Sequence, residues 1–183
     1  MSLIVLIGPA GACVPEVAAA LSHDLGIPCA ITDEVIEQIA ATTPSDISLD
    51  QGEDTLRELE REVSLALLRD VTSSSERILA LGSGCLGNSL SDGYFLPVRE
   101  ALAELAQAGA LVVWLTGDLT TLVKRTGLGG PRMAAVASPR KIFYNQLAAR
   151  EPVYLSASTT SIDTSGLDLE AVVSRVTAVV TAQ

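Results

Sequence analysis

Apolar positions along the chain fall into two recurring patterns, short unbroken runs and stripes at helical spacing. The runs Leu3-Ile4-Val5-Leu6-Ile7 and Ala110-Leu111-Val112-Val113-Trp114-Leu115 read as strands buried on both faces, as in a parallel sheet. Shorter runs at 27–31, 77–81 and 160–163 predict three more strands. Between them the spacing turns helical. One helix covers 17–21 and is closed by Gly26; a second follows Thr32-Asp33, with Asp33 as a candidate N-cap and Ile36, Ile39 and Ala40 as its stripe. Leu56, Leu59, Val63, Ala66 and Leu67 mark a long charged helix. Further helices are expected over 97–108, stopped by Gly109, over 118–125, capped by Asp118, and over 139–149 and 167–180. A polar loop is expected over 42–51, a break at Ser73-Ser74-Ser75, an irregular stretch over 86–93 and a mobile flap over 126–138, where Gly127-Leu128-Gly129-Gly130-Pro131-Arg132-Met133 suits no regular structure. Strands alternating with helices imply an α/β fold with a mostly parallel sheet.

The first strand and first helix are joined by Gly8-Pro9-Ala10-Gly11-Ala12-Cys13-Val14-Pro15-Glu16. This is the setting of a phosphate-binding loop, whose pattern asks for Gly, four residues, then Gly-Lys-Ser or Gly-Lys-Thr. Gly8 is in place. Cys13 stands at the second Gly, Val14 at the Lys that reaches the terminal phosphates, and Pro15 at the hydroxyl that holds magnesium. Pro15 suits a first helical position and Glu16 complements the positive helix end, so the anion site carries its own anion. A strand, turn and helix with no nucleotide role accounts for this stretch equally well.

Composition narrows the classes. A chain of 183 residues with 48% hydrophobic content suits one domain over 1–183. Its apolar runs fall far short of the roughly 20 residues of a membrane span, and no charged-then-apolar leader precedes the first strand, so a cytoplasmic location is expected. Cys13, Cys29 and Cys85 have no metal-ligand spacing, and the single histidine, His23, lies on the first helix. These facts disfavour a disulfide framework, a metal site and a His-based nucleophile relay. A net charge of −10 opposes nucleic-acid binding, which leaves small molecules or protein as partners.

Several stretches, in order and with matching spacing, resemble the shikimate kinase family of small P-loop kinases. They are Leu6-Ile7-Gly8 with Gly11-Ala12, Thr32-Asp33-Glu34-Val35-Ile36-Glu37, Gly52-Glu53 with Leu56-Arg57-Glu58-Leu59-Glu60, Ala80-Leu81-Gly82-Ser83-Gly84, Val113-Trp114-Leu115, Arg150-Glu151-Pro152-Val153-Tyr154, and Asp163-Thr164-Ser165-Gly166. The resemblance implies a three-layer α/β/α fold with a five-stranded parallel sheet, a helical substrate-binding segment over about 33–62 and a lid near 126–138. It implies that Asp33 accepts hydrogen bonds from the shikimate hydroxyls and that Arg57 and Arg150 grip its carboxylate, as paired guanidinium forks suit. Gly82, Ser83 and Gly84 match the family's strand-end glycines with the middle one changed, and Leu56 stands where an aromatic residue is common. Ile31 replaces the first Asp of an Asp-Thr-Asp run that holds the magnesium shell, and Arg132 is the candidate lid arginine, followed by Met133-Ala134-Ala135 rather than Pro-Leu-Leu.

Each carried residue also has a plain reading: Asp33 as a cap, Arg57 as part of a charged helix face, Arg150 as a helix-end charge. As a trio they favour a ligand site. Phosphoryl transfer is catalysed by positioning and charge stabilisation. Losing lysine, metal hydroxyl and metal carboxylate together, at about 3 kcal/mol each and discounted for non-additivity, removes roughly 6 to 9 kcal/mol, or a rate factor on the order of 10⁴ to 10⁶. The first expectation is therefore a shikimate kinase-like pseudoenzyme that binds shikimate or a related polyhydroxy acid. The alternatives are an atypical active kinase using ATP and magnesium with Lys124, Arg125 or Arg132 as a recruited cation, and a protein-interaction module on the inherited fold.

Overall fold

The computed structural model describes residues 3–70, 76–127 and 139–182. Five parallel strands are ordered β2-β3-β1-β4-β5: β1 (Ile4–Ile7), β2 (Cys29–Ile31), β3 (Ile78–Ala80), β4 (Leu111–Thr116) and β5 (Thr160–Asp163). The central strand β1 is buried at every residue. Its side chains alternate between two faces, which divides the core. Ile4 and Leu6 pack with α1 (Val14–Leu25) and α8 (Leu169–Thr181), through Val17, Leu21, Val172 and Val176. Val5 and Ile7 pack on the other face with α4 (Glu53–Arg69), α5 (Leu96–Gln107) and α7 (Pro139–Ala157), through Leu68, Leu102 and Tyr154. The result is the expected three-layer α/β/α arrangement.

After β2 the chain leaves the sheet as α2 (Thr32–Ala40) and α3 (Pro44–Asp50), and returns along α4. These three helices share a small core of Ile36, Ile47 and Val63. The polar loop expected over 42–51 is therefore mostly helix. Thr43 caps α3 by accepting from Asp46 N at 3.2 Å, Pro44 occupies its first turn, and Ile47 is its one buried side chain. Asp33 is not a cap either. Ile31 holds that position, so Asp33 falls in the first turn of α2, where a carboxylate complements the helix dipole.

The helix expected over 139–149 runs on through Pro152 to Ala157. An internal proline withholds an N–H from the carbonyl four residues back and costs about 3 kcal/mol. Burial of Val153 and Tyr154 at 0% and 2% exposure offsets that cost and holds the helix together. Asp118 caps α6 (Leu119–Thr126) as expected, accepting from Thr121 N at 3.0 Å. No described helix is long and apolar enough to cross a membrane. Ser73-Ser74-Ser75, most of the expected lid and Arg132 lie outside the described residues.

Candidate functional site

In parallel α/β sheets ligands gather beyond the carboxyl ends of the strands, and here β1, β2 and β3 all deliver residues to that edge. The loop after β1 turns tightly, with Ala12 N donating to Pro9 O at 3.1 Å, and delivers Cys13 as the N-cap of α1 at φ 62, ψ 32. That is the left-handed region, in which a side chain costs about 1 kcal/mol or more. Val14 points into the core at 5% exposure, and a Cβ added at Gly8 would lie 3.1 Å from its Cγ2. Ile31 is likewise core, at 6% exposure. Lysine, metal hydroxyl and metal carboxylate are thus replaced by two buried aliphatic side chains and a proline. The residues present do not fit a magnesium–nucleotide complex. Among the described residues no group of three or more His, Cys, Asp or Glu is arranged to hold a metal ion.

Among the described residues, a cation beside this loop is already committed. Arg125 Nη1 donates to Gly11 O at 3.2 Å and Thr164 Oγ1 at 2.9 Å, and its Nη2 donates to Thr164 O at 3.0 Å and Leu167 O at 2.6 Å. It ties the loop to α6 and to the turn after β5. Lys124 is exposed. All three thiols are pushed up, chiefly by burial, Cys29 to about 11 and Cys85 to about 12, so none is a ready thiolate.

The glycine stretch after β3 is built differently. Gly82 N donates to Thr32 Oγ1 at 2.7 Å, which fixes the start of α2 against the end of β3. A Cβ at Gly82 would meet Asp33 Oδ1, and one at Gly84 both carboxylate oxygens of Glu60, so a side chain at either position would push these carboxylates aside. Burial raises the pKa of Asp33, with the Thr32 hydroxyl opposing. Arg57 on α4 donates through Nη1 to Glu60 Oε2 at 3.3 Å and Gly84 O at 3.1 Å, and through Nη2 to Asp92 Oδ2 at 3.2 Å. Its guanidinium lies 4.2 Å over the Phe95 ring. Burial also raises Glu60, opposed first by Arg57 and then by Arg150.

Arg150 sits inside α7 rather than at a helix end. Its Nη1 donates to Ser83 O at 3.0 Å, and its Nε and Nη2 donate to Asn88 Oδ1 at 3.0 and 2.7 Å. The hydroxyl of Tyr154, one turn on, donates to the same Ser83 carbonyl at 2.8 Å. A cavity of about 230 Å³ opens between the altered loop and α7, lined by Pro9, Ala10, Ser83, Phe143, Gln146 and Arg150. The predicted residues Asp33, Arg57, Gly82, Ser83, Gly84 and Arg150 are therefore gathered, while Gly8 to Pro15 form the adjoining wall. Glu60, Asn88, Asp92, Phe95 and Tyr154 had been given no site role. Glu60 had a signal, a carboxylate on the apolar stripe of α4, three residues after Arg57. Asp92 had none.

A family model described as shikimate kinase matches residues 15–181. The chain belongs to the shikimate kinase family. This family match begins at Pro15, so Cys13 and Val14 lie before it. The shikimate kinase of Thermobifida fusca is 35% identical over 163 residues, spanning 89% of this chain and 86% of that protein. That of Salinispora arenicola is 33% identical, over 88% and 87%. A solved shikimate kinase from Acinetobacter baumannii, in complex with shikimate, superposes over 100% of this chain and 94% of its own with a TM-score of 0.79 at 24% identity, a likeness of fold.

Proposed function

We propose that this shikimate kinase family member binds shikimate or a closely related polyhydroxy carboxylic acid beside Gly82, Ser83 and Gly84 and does not carry out ordinary phosphoryl transfer. In this reading Asp33 accepts hydrogen bonds from ligand hydroxyls, and Arg57 and Arg150 recognise its carboxylate. The observation that carries the second half is Val14, a buried aliphatic side chain at the position of the phosphate-loop lysine, with Pro15 and Ile31 completing the loss. The names of the curated relatives support the ligand class.

The likeness to the Thermobifida fusca enzyme favours a second reading, an active kinase that uses another cation. Arg125 is a poor candidate for that part, because its guanidinium is spent on the loop and the turn after β5. Titrating shikimate into the protein by calorimetry, then assaying shikimate 3-phosphate with magnesium and ATP at high enzyme concentration, separates the readings. Binding without product is expected. Turnover within about tenfold of an ordinary kinase, on the order of 1 to 100 per second, would restore the active-kinase reading. No shikimate binding would leave the protein-interaction module.

A further inference from the structure

The guanidinium of Arg57 is enclosed before any ligand arrives. Three of its five N–H groups are engaged, two on Nη1 with Glu60 and Gly84 and one on Nη2 with Asp92, and Phe95 covers one face. Asp92 is held as a bound carboxylate would be. Its Oδ2 accepts from Arg57 and from Asn88 N at 3.1 Å, and its Oδ1 accepts from Tyr94 N at 3.2 Å. Three carboxylates, Asp33, Glu60 and Asp92, therefore share this edge with the guanidiniums of Arg57, Arg150 and, at the Asp92 connection, Arg99. An anionic ligand adds a fourth negative group, and Asp92 holds the Nη2 side of Arg57 that such a group would approach, while Glu60 and Gly84 O hold Nη1.

Asp33 and Glu60 are carried on the helices α2 and α4, with their carboxylate oxygens against Gly82 and Gly84. Asp92 is on the irregular connection that leads into the Gly93–Phe95 turn, between exposed Ser91 and Gly93. Its backbone is clamped, with Arg99 donating to Asp92 O at 2.8 Å, to Leu90 O at 3.2 Å and to Leu86 O at 2.9 Å. Rotation of the Asp92 side chain releases Nη2 of Arg57, at the loss of its bonds from Asn88 N and Tyr94 N, while the connection stays in place and Nη1 keeps Glu60 and Gly84 O.

We propose that Asp92 is a specificity-determining residue, an internal carboxylate that competes with the ligand carboxylate for Arg57 and so weakens the site for acidic ligands. The inference rests on the reading that the ligand is a polyhydroxy carboxylic acid. Asp92→Asn keeps the acceptor for Tyr94 N and removes the charge. Calorimetric titration of shikimate and of its neutral methyl ester, into the wild-type chain and into D92N, tests it. Expected is an affinity gain of about tenfold or more for shikimate with D92N and little change for the ester. Asp92→Ser, too short to reach Arg57, repeats the measurement if D92N does not fold. Shikimate binding to the wild type that is unchanged or weaker in the variants, or an equal gain for acid and ester, overturns the Asp92 proposal alone and leaves the ligand reading standing. Silence of every protein toward both compounds overturns the ligand reading and the proposal with it.

Discussion

Two loops at the carboxyl ends of neighbouring strands have gone opposite ways. The stretch after β3 spends its side chains on charge: Asp33, Arg57, Glu60, Asp92 and Arg150 converge there, with carboxylates lying close against Gly82 and Gly84. The loop after β1 spends its side chains on packing, with Val14 in the core and its nearby arginine fixed to carbonyls. Buried charge is costly and survives only when paired, whereas buried valine stabilises the fold at once. In the proposed reading, a loop that no longer binds phosphate is free to become core. The polar half shows no such relaxation, which is why we place the ligand there.

The two arginines give the sharpest break. Arg57→Ala leaves the Glu60 and Asp92 carboxylates without their guanidinium, in a pairing whose side chains are only 12% to 19% exposed. Loss of one partner of such a pair costs about 3 to 5 kcal/mol, and shikimate binding is expected to vanish with it. Arg125→Ala removes four hydrogen bonds to neutral oxygens, so about 2 to 3 kcal/mol of stability is expected to go while shikimate affinity holds. Urea melts with parallel calorimetry check both. A loss of shikimate affinity in R125A would show that the two loops act as one site.

How far the sequence carried the argument follows the same division. The strands were legible, because unbroken apolar runs such as Leu3 to Ile7 have no other good use. Asp33, Arg57 and Arg150 were singled out through resemblance and the structure gathers them at one edge, yet their settings were not legible. Asp33 looked like a cap because Thr and Asp before an apolar stripe usually are one, and Arg150 looked terminal because Pro152 follows it. Tertiary packing overrode both local rules. The helix Pro44–Asp50 was hidden because a single buried residue, Ile47, makes no periodicity. Asp92 was hidden for another reason: its partner lies 35 residues away on α4, and nothing local marks the pairing.

A smaller effect probes the relaxed loop by itself. Cys13→Gly removes a side chain from the left-handed region at φ 62, where glycine is at ease. In return the thiol packs against the edge of the core and makes a long contact of 3.8 Å to Gly11 O. A gain of about 1 kcal/mol in thermal melts is expected, with shikimate binding unchanged. A net loss would mean that Cys13 packing matters more than its backbone strain.

The smallest effect is a pH dependence confined to the polar half. Desolvation raises Asp33 above its ordinary 3.8, so between 3.8 and that raised value the folded chain binds more protons than the unfolded one. Its contribution to stability therefore falls as pH rises through this window, and near neutral pH the buried charge is a net burden. Asp33→Asn is expected to stabilise the protein near neutral pH, by an amount that shrinks as the pH approaches 3.8, and to weaken shikimate binding by removing the acceptor for ligand hydroxyls. Asp118 supplies the opposite sign on the exposed side. Hydrogen bonds from Thr121 hold it at about 2, so its contribution is present above 3.8 and lost as pH falls toward 2. Comparing D33N and D118N in urea melts across this range separates the two. If D33N destabilises near neutral pH, the hydrogen bonding of the Asp33 carboxylate outweighs its burial, and that carboxylate would then be accounted for by the fold alone, without a ligand.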